Sequence, residues 1–509
     1  MEKRKRTVDP TARVVTRVVA AVMAPSIEAM VQAANDACEG ADLVELRVDG
    51  LRDPDLERLR KAGTKPLILT CRMQREGGVF EGSESERLEI LRRALVLGFD
   101  FVDIELDSFS DELRTVKTSS RLILSHHKFD RIPDDLSEIV ERATTAGADI
   151  VKVAARADSL ADVVRLGEAG RLARDRGVGF APIPMGPAGT AGRVLAPRFG
   201  ADLTYAAARG LPATGPGQLD LDQLLGTYRF RVVDDATRIY GILGRPALGS
   251  LSPAMHNAVF AHKGLNAVYV PFEEEDLASF VAAAKQIGVA GFSVTQPFKE
   301  SILPFLDDID GPAQQVGAVN TVVARDGRWC GFNTDVEGVV GPVSRRLGIE
   351  GKRVVILGAG GAARAAAVGL GQAGAAVVVL ARKLERARAV ANLAGGAAGD
   401  IGDLGAHRWD ILVNATPLHE GLIDAGSAEQ VEGFRPGALV LDMIYDPEKT
   451  EILELARERR AFAVPGLEML VAQAVRQSDL WTGSAVNAEV METAARAEMH
   501  RRRGHRGQI

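Results

Sequence analysis

One feature of the first 210 residues constrains the fold more than any other: a repeated beat of short apolar, β-branched runs. They recur at RVVAAV (17–22), ADLVELRVD (41–49), PLILTCR (66–72), FDFVDIEL (99–106), RLILSHH (121–127), ADIVKVAA (148–155), GVGFAPIPM (177–185) and ADLTYAAA (201–208). Segments of helical periodicity, such as 83–98 and 159–177, lie between them. Strands that alternate with helices pair in parallel, because each helix carries the chain back to the same end of the sheet. Eight such units, with none missing, predict a closed (β/α)8 TIM barrel. An open doubly wound sheet is the other reading, at the expense of an unusually high strand count.

After Ala208 the pattern changes. RGLPATGPGQ (209–218) is rich in Gly and Pro and reads as a loop. Residues 219–236 read as a short helix and a linker. A second βα series begins at RIYGILG (238–244) and continues through AVYVPF (267–272) and GVAGFSVT (288–295), and KRVVILGAGGAARAAAVGL (352–370) opens a third unit. A length of 509 residues accommodates about three domains, with a barrel taking two shares.

Composition removes several function classes. With Lys+Arg 62 against Asp+Glu 68, the net charge of −6 offers no global basic field for nucleic acid. Three scattered cysteines (Cys38, Cys71, Cys330) form neither a disulfide framework nor a CxxC metal site, and they fit a reducing cytosol. No run of about 18 apolar residues crosses a membrane. The basic start, MEKRKR, has no apolar run behind it, so a signal peptide is not expected, and the eight His form no HxxxH or HxH pair for a zinc ion. The expectation is a cytoplasmic protein of small-molecule substrates with no metal, nucleic-acid or membrane partner, its oligomeric state open. Only 13 of the 62 basic residues are lysine, the basic side chain that burial can turn into a neutral amine. A lysine inside an apolar run therefore stands out.

In a TIM barrel the site lies at the C-terminal ends of the strands. Glu45, Arg47, Asp49, Arg72, Glu105, His127 and Lys152 all fall there. Strand ends take charges freely, but so dense a set favours a site. Lys152 sits in IVKVAA, on the face opposite Val151 and Val153. Desolvation lowers the pKa of such an ammonium, and a neutral amine attacks a ketone to give an imine. An ion-paired lysine at the barrel rim is the other reading. His127 adds a general acid/base, whereas its neighbour His126 points to the opposite face.

The pieces ELRVD (45–49), TCRMQREGG (70–78), LSHHKF (124–129), DIVKVA (149–154), MGPAGTAGR (185–193) and GPGQ (215–218) keep one order and spacing. By them, residues 14–226 resemble type I 3-dehydroquinate dehydratase. The resemblance implies that Lys152 forms the imine, that His127 moves the protons and that Glu76 orients His127. It implies that Glu45, Arg47 and Arg72 hold ring hydroxyls and anchor the site. Arg193 and Gln218 would bind a carboxylate, with Thr214 in place of the family's frequent Ser.

In the second half, GAGGAA (358–363) follows the apolar run RVVIL and opens an Ala-rich helix, as a dinucleotide-binding turn requires. The next strand, AAVVVL (375–380), ends without the Asp or Glu that would hold a ribose 2′-hydroxyl and is followed by Arg382, Lys383 and Arg386. Those cations suit a 2′-phosphate and hence NADP; ordinary first-turn helix charges are the alternative. GSLSPAMHN (249–257), GFSVTQPFKE (291–300), VGAVNTVV (316–323) and GFNTDVEG (331–338) supply hydroxyls, amides, one Lys and one Asp. Each alone could be turn chemistry; together they suit a polyhydroxylated acid and a proton transfer.

These segments, with NATP (414–417), DMIY (442–445) and LVAQAVRQSDLWTG (470–483), resemble shikimate dehydrogenase over about residues 238–490. The resemblance implies Lys299 and Asp335 as the acid/base pair. It implies Ser250, Ser252, Thr295, Asn320, Tyr445 and Gln473 at the substrate. Gly358, Ala359, Gly360, Gly361, Ala362, Arg382, Lys383, Arg386, Asn414 and Thr416 would hold the cofactor. Two family positions differ: Ser293 replaces the usual Asn, and Ala381-Arg382-Lys383 replaces Asn-Arg-Thr.

The implied layout is a basic tail (1–13), the dehydratase barrel (14–226), a linker (227–237) and a substrate-binding lobe (238–340) completed by a helix at about 468–492. A Rossmann lobe (341–467) and a second basic tail (493–509) follow. The product of the first implied reaction is the substrate of the second, so the two halves cohere as consecutive steps of the shikimate pathway. Alternatives are a second half that uses quinate with NAD, a barrel kept as an inactive scaffold, and a class I aldolase-like barrel.

Overall fold

The computed structural model describes residues 15–423 and 428–506. The basic segment 1–13 lies outside these residues, as do 507–509. The chain forms two compact units. The first gathers the chain through Gly241 with Arg245–Pro253 and Asn266–Val289; the second gathers Ile242–Gly244, Ala254–Leu265 and everything from Ala290.

Each of the eight runs becomes a strand: β1 (Arg17–Val22), β2 (Leu43–Arg47), β3 (Leu67–Thr70), β4 (Phe101–Glu105), β5 (Arg121–Lys128), β6 (Ile150–Arg156), β7 (Gly179–Met185) and β8 (Leu203–Ala207). They form one parallel sheet in the order β7-β6-β5-β4-β3-β2-β1-β8. Pairing of β8 with β1 wraps the sheet round. At the remaining seam, between β7 and β8, Asp202 does the joining. Its N–H donates to the Phe180 carbonyl and its carboxylate accepts the Phe180 N–H, each at 2.8 Å. Two of the intervening helices start on capping boxes. Ser83 and Glu86 form a capping box for Glu84–Val96, and Ser159 and Asp162 form one for Leu160–Asp175.

The strand period of two decides what faces the barrel interior. Val19, Leu43, Ile68, Phe101, Ile123, Ile150, Ala181 and Leu203 pack into one apolar cluster. Two residues further along, on the same face, come Glu45, Thr70, Asp103, Ser125 and Lys152, all buried. Four residues along come Arg47, Arg72, Glu105 and His127. The apolar floor thus carries a charged layer at the C-terminal end, which is where barrel sites lie. The first unit also holds β10 (Ala267–Glu273), most of β9 (Arg238–Gly244) and the helix Leu277–Gln286. Glu274 accepts the Leu160 N–H at 2.6 Å, at the start of a barrel helix.

In the second unit, β11 (Val289–Val294), β13 (Thr321–Arg325) and β14 (Arg328–Phe332) pair antiparallel, and β12 (Asp308–Ile309) runs parallel to β14. A parallel sheet follows from β15 (Arg353–Leu357), β16 (Ala376–Leu380), β17 (Ala397–Gly399), β18 (Ile411–Asn414), β19 (Leu439–Asp442) and β20 (Phe462–Val464), in the order β17-β16-β15-β18-β19-β20. This is the Rossmann order, with its switch point between β15 and β18. Two separate apolar clusters draw on the residues of this sheet.

The C-terminus departs from expectation. A helix spans Gly466–Thr482 and ends on Gly483 in the left-handed region, short of the expected 492. Residues 493–506, expected as a solvated basic tail, belong to a further helix, Ala488–Arg506. Met491, Ala495 and Met499 recur every four residues and are buried, while Arg496 pairs with Glu448 and Arg501 with Glu498. The basic charges mask an amphipathic helix whose apolar stripe is narrow. No helix among the described residues is long and apolar enough to cross a membrane.

Candidate active sites

One cleft, about 580 Å³ with the space open to solvent included, is lined by nine of the eleven barrel residues named from the sequence: Glu45, Arg47, Arg72, Glu76, His127, Lys152, Arg193, Thr214 and Gln218; Asp49 and Glu105 lie behind it. Lys152, 6% exposed, sits 2.8 Å from Asp103 Oδ2 and 3.4 Å from Glu45 Oε1, with its ammonium 4.3 Å from the centre of the Tyr205 ring. The desolvated lysine thus faces buried carboxylates rather than an apolar pocket. Asp103 is also held by Arg72 at 2.7 Å and by the Ser125 hydroxyl at 2.6 Å. Burial pushes the Asp103 carboxyl up, but Arg72 and Lys152 outweigh it and hold it well below the usual carboxylate range. Arg72 is saturated by Asp103, Ser125 and Glu105, so it serves as scaffold for the charged layer.

His127 Nδ1 lies 2.8 Å from Glu76 Oε2. Burial, then the charges of Arg72 and Lys152, push the imidazole well below its ordinary value, while burial raises the Glu76 carboxyl to about 7. The pair can therefore hold one proton near neutrality, and Nε2 is left for a substrate. His126 does not line the cavity. Arg47 is locked bidentate on Asp49 at 2.8 and 2.9 Å.

Arg193 is a different kind of cation. It is 2% exposed, reaches only the Tyr205 and Pro216 carbonyls at 3.4 and 3.5 Å, and its Nε has no partner. Burial alone lowers its pKa to about 10. A buried guanidinium without a carboxylate is costly unless an anionic ligand completes it. The GPGQ loop lies beside it because Gly217 is left-handed (φ 70°) and a Cβ there would come within 2.3 Å of the Gly186 carbonyl. Gln218 Oε1 closes the loop by accepting from the Thr214 N–H and hydroxyl at 2.7 and 3.1 Å.

In the second unit Lys299 Nζ lies 2.5 Å from Asp335 Oδ2, and Asn320 Nδ2 donates to Asp335 Oδ1 at 2.8 Å. Asn320 also anchors Thr334, whose hydroxyl reaches Gln473 Oε1 at 3.5 Å. Gln477 links the same layer to Thr321 and Ser293, at 3.1 and 3.0 Å. Lys299, Asp335, Asn320 and Gln473 are therefore joined, with Thr295 at the end of β11. Ser250 and Ser252 fall in the first unit, where the Ser252 N–H donates to the Ser250 hydroxyl at 3.0 Å.

The glycine turn follows β15. Gly358 has φ 108°, and a Cβ there would meet the Ala415 carbonyl at 2.8 Å, so the Asn414–Thr416 turn packs directly on it. The helix Gly361–Gln372 has Gly360 at its N-cap with no side-chain cap, and open space surrounds the Gly360 Cα. A Cβ on Gly361 would sit 3.7 Å from Lys299 Cδ, which puts the turn next to the acid/base pair. Arg382, Lys383 and Arg386 are exposed at the end of β16 and the start of the helix Leu384–Asn392. Cations at a helix N-terminus oppose the macrodipole, so their presence favours an anion-binding role. Uncapped amides beside a cationic cluster fit a dinucleotide with a 2′-phosphate. Tyr445 is half-buried just past β19. Among the described residues no group of three or more His, Cys, Asp or Glu could hold a metal ion.

Sequence reading missed Asp103, Ser125, Tyr205, Thr334 and Gln477. The first two were within reach: they share the inward register of Glu45 and Lys152. The others follow from packing between distant segments.

Four family models match the chain: type I 3-dehydroquinase over 18–235, the shikimate dehydrogenase substrate binding domain over 242–322, shikimate/quinate 5-dehydrogenase over 343–454, and the shikimate 5′-dehydrogenase C-terminal domain over 466–496. A chloroplastic bifunctional 3-dehydroquinate dehydratase/shikimate dehydrogenase of Arabidopsis thaliana is 36% identical, covering 92% of this chain and 82% of that protein. The shikimate biosynthesis protein AroDE of Chlamydia pneumoniae is 30% identical over 86% of this chain and 90% of its own length. A shikimate dehydrogenase (NADP(+)) of Pyrococcus furiosus is 39% identical over 53% of this chain and all of its own.

Proposed function

The chain belongs to the bifunctional 3-dehydroquinate dehydratase/shikimate dehydrogenase family, and from that premise we propose a role for each residue of its two sites. The enzyme dehydrates 3-dehydroquinate to 3-dehydroshikimate and reduces that product to shikimate with NADPH.

In the barrel, the Lys152 amine adds to the substrate ketone and water leaves as the imine forms. His127 takes a proton from the carbon next to the imine, and the electron pair flows toward the imine nitrogen. His127 then gives that proton to the leaving hydroxyl, which departs as water. A further water hydrolyses the imine, releasing the product and the free amine. Glu76 orients His127. Glu45 and Arg47 hold ring hydroxyls, and Arg72 anchors them. Arg193, with Thr214 and Gln218, binds the substrate carboxylate. The observation that carries this reading is the buried Arg193 guanidinium, which has no carboxylate partner and an unsatisfied Nε, in one cavity with Lys152 and the His127–Glu76 pair.

In the dehydrogenase, Lys299 gives a proton to the ketone oxygen and Asp335 holds the ammonium in place, supported by their 2.5 Å contact. Bound NADPH supplies the hydride. Gly358, Ala359, Gly360, Gly361 and Ala362 would cradle its pyrophosphate, Arg382, Lys383 and Arg386 its 2′-phosphate, and Asn414 and Thr416 would line the turn beside it. Ser250, Ser252, Thr295, Asn320, Tyr445 and Gln473 would bind shikimate. The linear limits 14–226, 238–340 and 341–467 belong to this reading, as does a cytoplasmic location, which the three free cysteines support.

Borohydride trapping with 3-dehydroquinate, followed by peptide mapping, tests the first site: an adduct on Lys152 is expected, and its absence overturns the imine. Initial rates with shikimate and NADP should exceed those with quinate and NAD; the reverse order overturns the substrate and cofactor assignment.

A further inference from the structure

Arg87 lies on the helix Glu84–Val96, outside the barrel strands, and none of its surface is exposed. Its guanidinium is fully engaged. Nε and Nη2 donate to Glu84 at 2.8 and 2.7 Å, and Nη1 donates to the Cys71 carbonyl at 3.0 Å and to Glu105 Oε2 at 2.5 Å. A buried ion pair of this kind is often no more stable than an apolar pair of the same volume. Stability alone therefore does not explain an arginine here.

The ion pairs run onward. Glu105 Oε1 lies 3.0 Å from Arg72 Nη1, Arg72 Nη2 lies 2.7 Å from Asp103 Oδ1, and Asp103 Oδ2 lies 2.8 Å from Lys152 Nζ. Charge alternates at every step from the outer helix to the imine-forming amine. We propose that Arg87 is a positioning residue for the dehydration, which, by sharing Glu105 with Arg72, sets how much of the Asp103 charge falls on Lys152 and so the pH at which the imine forms. This rests on Lys152 being the imine-forming residue.

The direction follows from electrostatics. Without Arg87, more of the Glu105 charge falls on Arg72, Arg72 neutralises Asp103 less, and Asp103 holds the Lys152 ammonium more firmly. Without the Glu105 charge, the opposite holds. The other groups that face Lys152 are Glu45, the Tyr205 ring and His127 backed by Glu76, and Arg47, paired with Asp49, lines the same cavity. Arg87 itself contacts Glu84, Cys71 and Glu105.

The test measures, in the full chain, dehydration kcat and the rate of borohydride-trapped adduct on Lys152 across pH, for wild type, Arg87→Met, Arg87→Lys and Glu105→Gln. Thermal melts of the same samples follow the fold. The acidic limb should move up by about half a pH unit or more in Arg87→Met and down by a similar amount in Glu105→Gln, and stay near wild type in Arg87→Lys. Limbs that stay put, or that move the same way in both variants while Tm falls, reduce Arg87 to a packing residue and overturn the proposal. If Arg87→Met does not fold, an unmoved limb in Glu105→Gln overturns it just as well. If the wild type gives no adduct on Lys152, the underlying assignment fails instead, a result the variants cannot imitate.

Discussion

The two halves use lysine in opposite surroundings. The Lys152 side chain is 7% exposed and faces two buried carboxylates, beside a saturated arginine. The Lys299 side chain is 24% exposed, has one carboxylate partner, Asp335, and sits next to a glycine turn. The difference follows from the chemistry. An imine-forming amine must be held in one place and kept from bulk water, so the barrel encloses it in fixed counter-charges. A proton donor must be reloaded after every turnover, so it stays within reach of solvent and needs only one partner to hold it.

The comparison predicts asymmetric losses, and the largest is at Lys152. Lys152→Ala should lower dehydration by at least about 10⁴-fold and abolish the trapped adduct, while shikimate oxidation by the same chain is unchanged. Dehydration that survives the substitution would break the contrast at its first term. Lys299→Met should cost about 10²- to 10⁴-fold in kcat for shikimate oxidation with little change in KM, and leave dehydration intact. A change confined to KM would make Lys299 a binding residue and erase the distinction.

A smaller effect belongs to the cationic cluster. Arg382→Ala combined with Arg386→Ala should raise KM for NADP about 10- to 100-fold and leave KM for NAD nearly unchanged. Equal losses with both cofactors would show that these arginines do not read the 2′-phosphate.

The mildest prediction concerns the first unit's stability. Glu274 is 1% exposed, one carboxyl oxygen has no partner, and burial raises its pKa to about 8. Its folded pKa therefore lies above the ordinary 4.5, so the neutral form is favoured in the fold. That stability is fully present below about 4.5 and is lost as pH rises through about 8. Glu274→Gln should leave Tm unchanged near pH 4 and raise it by a few degrees at alkaline pH, read by calorimetry. A gain equal at both pH values would mean packing, not titration.

Much of this was legible before any coordinates. The eight strands were marked by β-branched runs, because a strand is a local pattern of period two. Lys152 was marked by the same pattern, as a charge where the alternation demands an inward residue. The second basic segment was misread because its charge density hid Met491, Ala495 and Met499, whose four-residue spacing is the only helical sign. β12, β13 and β14 were hard to see because they are short, two to five residues, and flanked by turn residues such as Asn320, Asp326, Gly327 and Asn333.

The sequence by itself determined the architecture of both halves and the two lysines on which the chemistry turns. Those features are set by neighbours a few residues away, through strand and helix periodicity. Only the tertiary structure decided what surrounds each lysine. Asp103 meets Lys152 across 49 positions of chain, and Glu105 meets Arg87 across 18. Such contacts depend on strand register and barrel closure, which bring together residues that carry no local mark of one another. The charge that an active lysine experiences is the sum of those distant partners, so it exists only in the folded chain.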